Sequence, residues 1–108
     1  MSNETAPHTL TLPQSLSIRN AQAVREQLLS GLSENSSVII DIPEGADADL
    51  SFIQVVEASR RHAQTYGKSI ALKNPAGGRV LETLRRGGFL TDMDAATCQF
   101  WFHRKEIQ

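Results

Sequence analysis

Residues 38–56 read Val-Ile-Ile-Asp-Ile-Pro-Glu-Gly-Ala-Asp-Ala-Asp-Leu-Ser-Phe-Ile-Gln-Val-Val, and the period of the apolar pattern changes inside them. Val38 to Ile42 is a short, nearly continuous β-branched run, which suits a central strand covered on both faces. Pro43 to Asp49 is a loop of turn formers that includes Glu44, Gly45, Asp47 and Asp49. From Leu50 or Ser51 the spacing becomes helical. Taking Phe52 as origin, Val55, Val56, Ser59, Ala63 and Tyr66 share one side, and Arg60, Arg61 and Gln64 fall elsewhere. A strand, an acidic bend and an amphipathic helix in this order predict an α/β layer structure.

The flanks extend the alternation. Upstream, His8, Leu10 and Leu12 alternate with Thr9 and Thr11 and stop at Pro13, the signature of a half-buried, edge-like strand. Gln14 to Ser17 adds a short second strand. Ser17 or Asn20 then caps a helix whose apolar side is Ile18, Ala21, Val24, Leu28, Leu29 and Leu32, closed by Gly31 and the polar stretch Ser33 to Ser37. Downstream, Gly67 ends the middle helix and Ser69 to Lys73 forms another strand. Asn74-Pro75 opens a third helix carrying Val80, Leu81 and Leu84, with Arg85 and Arg86 at its C-terminus and Gly87-Gly88 as the stop. Phe89 and Leu90 return to the core. Asp92 to Ala96 reads as a short helical turn, and Cys98, Phe100 and Phe102 alternate with Gln99, Trp101 and His103 like a strand.

Composition sets the outer bounds. The chain has 108 residues, 40% of them hydrophobic and six aromatic, enough for one core and one compact domain. Surface scaling lets a chain of this size bury roughly two thirds of its unfolded surface without disulfides or structural metal. We expect a single domain over residues 8–103 between short tails, 1–7 and 104–108. A formal net charge of −1 is too balanced for a binder of nucleic-acid backbones. The single cysteine, Cys98, cannot form an intrachain disulfide or a zinc site, and His8, His62 and His103 are scattered. With no apolar run near the roughly 20 residues of a membrane span and no export signal, a cytoplasmic protein is expected.

The order strand, short strand, helix, strand, acidic loop, helix, strand, Asn-Pro, helix, Gly-Phe-Leu resembles the STAS family, the domain of anti-sigma factor antagonists and sulfate-transporter tails. The resemblance covers Leu10 to Leu90. Its sharpest pieces are Val38-Ile39-Ile40-Asp41, Asp49-Leu50-Ser51-Phe52-Ile53, Gly67-Lys68-Ser69-Ile70-Ala71-Leu72, and Asn74-Pro75 ahead of Leu81-Glu82-Thr83-Leu84. It implies a mixed sheet of four to five strands with three to four helices mainly on one face, and a protein-binding switch instead of an enzyme. The partner so implied is an anti-sigma or serine kinase-like protein or a chemotaxis protein. Some free-standing STAS domains are instead accessory subunits on the nucleotide-binding component of an ABC-type transporter.

In regulatory members of that family the loop reads Asp-Ser-Ser-Gly or Asp-Thr-x-Gly, and the first hydroxyl residue is phosphorylated. Here Asp49 matches the aspartate, Leu50 stands at the phosphoacceptor position, Ser51 matches the next hydroxyl and Phe52 replaces glycine. Asp-Leu-Ser-Phe looks like a branch of small STAS proteins linked to chemotaxis. Ser51 is the one remaining hydroxyl for a switch, and it is equally placed to cap the helix. Leu50 is either a constitutive apolar contact for a partner or a leucine tucked into the core. Ile53 either borders the same surface or packs against a neighbouring helix. Asp47, beside Asp49, and Arg60, around the helix, complete the expected partner-binding set.

Other constellations carry less chemistry. Glu44, Asp47 and Asp49 lack the twelve-residue pattern of a calcium loop, and turn formation explains them. Ala76-Gly77-Gly78-Arg79 could cradle phosphate, yet no GxxxxGK[ST] or GxGxxG pattern is present. Arg60, Arg61, Arg79, Arg85 and Arg86 could steer an acidic partner. Ser51 and His62 lie about three helical turns apart, too far for a nucleophile and its base. No catalytic residues, cofactor or metal are therefore expected. The edge strand near Thr9 to Leu12 leaves the chain a monomer or a weak homodimer.

Overall fold

A computed structural model describes residues 7–104. The expected tails lie outside the described residues, apart from Pro7 and Arg104. Strand β1 spans His8–Thr11, β2 Ser15–Leu16, β3 Ser37–Asp41, β4 Asp47–Ala48 and β5 Ser69–Leu72; helix α1 spans Ala21–Glu34, α2 Leu50–Thr65, α3 Gly78–Arg86 and α4 Ala95–Phe102. The strands form a three-stranded sheet in the order β1-β3-β5 and a two-stranded sheet of β2 and β4, with every pairing parallel. Five strands and four helices fall within the architecture expected from the sequence.

Register explains which face is covered. Leu10 pairs with Ile40, and Ile40 with Leu72, so these side chains line one face. Val38, Ile40 and Leu72 are buried there, each contributing about 1.5–3 kcal/mol by leaving water. The opposite face carries Thr9, Ile39 and Ala71, with Ile39 only half-buried. The β-branched run therefore has one sealed face instead of the two expected. Helix α1 packs on β1 and β3, α2 on β5 and on α1, α3 on α2 and β4, and α4 on β5. Lys68 fastens α1 at its end, its Nζ donating to the Leu32 carbonyl at 2.6 Å, where the helix dipole favours a cation.

Several local expectations are corrected. Residues 98–102 are helical: Asp94 caps α4 by accepting from the Thr97 N–H at 2.8 Å. Cys98, Phe100, Trp101 and Phe102 are all buried, and a helix apolar all round belongs inside. The third helix starts at Gly78, because the Ala76 N–H donates to the Trp101 carbonyl and holds Asn74 to Gly77 outside it. Ile18 sits in a 3-10 turn, Ile18–Asn20, ahead of α1 and is 71% exposed. Neither Ser17 nor Asn20 makes a side-chain cap; the Asn20 amide donates to the Ser15 carbonyl instead. Tyr66 lies just past the end of α2, exposed, against the His62 ring.

Candidate functional site

The acidic bend is built by β4 and the first turn of α2. The Asp47 N–H donates to the Gln14 carbonyl and the Asp49 N–H to that of Leu16, which ties the bend to β2. Asp49 is the N-cap of α2, with extended backbone and a side chain accepting from the Ser51 N–H at 3.0 Å. Ser51, expected as a cap, stands one turn position inside the helix and donates its hydroxyl to Asp49 Oδ1 at 2.5 Å. Asp49 Oδ2 accepts from the Ile18 N–H at 2.9 Å. Both carboxylate oxygens are thus occupied. The Ser51 hydroxyl, then the Ile18, Ser51 and Phe52 N–H groups, hold the Asp49 carboxyl below the usual carboxylate range against a smaller opposing effect of burial.

Leu50, the first helical residue, is 45% exposed. Ile18, whose main-chain N–H is bound to the Asp49 carboxylate, is also exposed. A single exposed apolar side chain needs no explanation, but here two flank segments that the Asp49 carboxylate ties together through the Ile18 and Ser51 main-chain N–H groups. Asp47 is exposed and lies 3.9 Å from the Arg79 guanidinium, and the Thr83 hydroxyl reaches the Ala48 carbonyl at 3.4 Å, so α3 borders the bend.

Two residues expected at this surface are elsewhere. Ile53 is fully buried, since its position around α2 turns it toward the core, as the packing alternative held. Arg60 belongs to the seam between α2 and α4. It pairs with Glu57 at 2.9 Å, donates to the Thr97 hydroxyl and lies 4.7 Å from the Phe100 ring centroid. Ile18 is the residue sequence reasoning missed. Its position directly after Ser17, at the front of a helix, was open to a solvent-facing reading that the apolar periodicity obscured.

Among the described residues no three or more His, Cys, Asp or Glu side chains converge as a metal site requires. A cleft of about 720 Å³ lies at the C-terminal ends of β3 and β5, lined by the Asp41 to Ala46 and Asn74 to Val80 segments. Gly77 and Gly78 open α3 there without a side-chain cap. No described helix is long and apolar enough to cross a membrane.

Comparison with known proteins gives one positive finding, a match between residues 2–93 and the family described as "Mlab, STAS domain". Searches of the curated proteins and of the solved structures found no match. The matched region contains the whole bend and helices α1 to α3 and stops before α4. STAS domains are generally regulatory modules that typically interact with protein partners. The arrangement of an acid-capped second helix behind a parallel strand, together with a match over most of its length, establishes that the chain belongs to the STAS domain family.

Proposed function

We propose that this protein is a non-enzymatic docking module of bacterial signalling, anti-sigma factor antagonist-like or chemotaxis-associated, working in the cytoplasm. It meets a kinase-like partner through Asp47, Asp49, Leu50 and Ser51, with Ile18 added to that set. The observation that carries this reading is the exposure of Leu50 at the helix start. Apolar side chains held at a rigid helix terminus can serve as anchors that a partner pocket desolvates. The chain itself needs no cofactor in this role.

A second reading follows from the same leucine. A side chain that cannot be phosphorylated suits permanent association better than a reversible switch, and so favours an accessory subunit on the nucleotide-binding component of an ABC-type transporter. One experiment separates the two. Proteins retained by the wild type and lost with Leu50→Asp are identified by mass spectrometry, with circular dichroism confirming that the variant folds. Kinase-like or chemotaxis proteins support the first reading, and a transporter ATPase the second. Identical partners on both baits would sink the surface altogether.

A further inference from the structure

The outer edge of β5 is an unfinished strand. The Ser69 N–H donates to the Ser36 carbonyl at 2.9 Å and the Lys73 N–H to the Ile40 carbonyl at 2.8 Å. The alternate residues of β5 therefore face β3, and the N–H and C=O groups of Ile70 and Leu72 point to the other side. There His103 Nε2 meets the Leu72 carbonyl at 3.0 Å. Both Ile70 groups and the Leu72 N–H have no partner among the described residues. They open into a groove of about 880 Å³ walled by α2 and α4.

The walls decide what fits. A second copy approaching by its own β5 edge would bring its own α2 and α4 against these, whereas a single extended chain needs only the width of one strand. The four residues of β5 offer about 13 Å of edge at about 3.3 Å per residue. Charge narrows the choice. Glu57 is engaged by Arg60 and by the Trp101 indole N–H, and Asp94 by the Thr97 N–H. Lys68 is turned to the carbonyls of Leu32 and Asn35, while exposed Arg61 has no acidic partner among the described residues. We propose that an extended segment of a partner protein, bearing an acidic side chain toward Arg61, adds as a strand to the β5 edge. This surface is separate from the Leu50 patch and stands whether or not that patch binds.

The probe is the peptide acetyl-Thr-Val-Glu-Val-Glu-Val-Thr-amide, titrated into isotope-labelled protein and followed by amide chemical shifts. Saturating shifts at Ile70 and Leu72 are expected below about 2 mM peptide. Binding is lost when alternate peptide amides are N-methylated, and is weaker by about fivefold with Lys in place of Glu or with Arg61→Glu. Ile70→Pro removes an outward N–H while leaving the β3 ladder intact, and abolishes the shifts in a protein whose other resonances stay in place. Absence of shifts, shifts confined to other surfaces, or equal affinity for the Lys peptide would overturn the proposal. So would shifts of Ile70 and Leu72 on concentrating the protein alone, which would identify the occupant as a second copy.

Discussion

The main-chain N–H of Ile18 donates to Oδ2 of Asp49 at 2.9 Å, across a sequence separation of 31 residues. One short bond therefore fixes the turn before α1, which carries exposed Ile18, against the cap of α2, which exposed Leu50 follows in the chain. Main-chain hydrogen bonds to Asp49 hold the backbone on both sides of this junction. A partner would meet a main chain that is already ordered.

Ile18→Asp and Leu50→Asp are expected to leave stability within about 0.5 kcal/mol of wild type, as exposed substitutions usually do, while weakening partner binding. Ile53→Ala, only three residues beyond Leu50 but fully buried, should cost about 2–5 kcal/mol. Urea denaturation alongside a binding titration measures both. Equal destabilisation by Leu50→Asp and Ile53→Ala would show that Leu50 is structural.

Asp49 has its carboxyl lowered by the Ser51 hydroxyl and by the main-chain N–H groups it accepts from. A group depressed in the folded state adds stability above its unfolded pKa and loses it as pH falls through the folded value. Stability should thus decline below about pH 4, and Asp49→Asn should flatten part of that decline while still capping the helix. Asp49→Ala removes the cap and should cost about 1 kcal/mol at neutral pH. Denaturation midpoints across pH 2–7 test the slope, and identical profiles for wild type and Asp49→Asn would contradict it.

Incubation with a cognate serine kinase and ATP should leave the protein unmodified. Leu50 has no hydroxyl, and that of Ser51 is bound to Asp49 Oδ1. A phosphate on Ser51 would set roughly −1.5 to −2 charge against that carboxylate. Intact-mass spectrometry reads the outcome directly. A stoichiometric adduct mapped to Ser51 would mean that the switch has moved by one residue.

Trp101, the single tryptophan, is fully buried and its indole N–H donates to Glu57 Oε2 at 2.9 Å. Trp101→Ala should destabilise by about 3–5 kcal/mol, and Glu57→Leu, which frees the indole N–H and Arg60 together, by about 1–3 kcal/mol. The native fluorescence of the wild type should be blue-shifted and move to the red in one step on unfolding. A red-shifted emission from the folded protein would contradict the burial.

Much of the layer order was legible because period and punctuation agreed: the β-branched run forms β3 and the Phe52, Val56, Ser59 and Ala63 stripe is buried, whereas the loop read over Pro43 to Asp49 contains β4, whose pairing with β2 no local pattern announces. Misreadings arose where one pattern fitted two periods. Phe100, Trp101 and Phe102 are consecutive, so alternation with Trp101 as the polar member was a false strand signal, while the Asp94 cap three residues ahead of Thr97 was the truer cue. Asn74-Pro75 looked like a helix start, but the contact of Ala76 with Trp101 is long-range and invisible locally. At the bend, the sequence placed the cap on Ser51 where the structure has Asp49, and it left Leu50 open between surface and core; the partnership of Ile18 with Asp49 was not readable, since no local rule joins positions so distant.

The stretch by which the family is recognised runs to residue 93, and α4 begins two positions later. Trimming the polypeptide to its recognisable portion would leave a vacancy where the indole sat, with the Ala76 amide orphaned and Glu57 held by Arg60 alone. The stretch that marks the kinship thus stops short of the helix that plugs the interior with the indole.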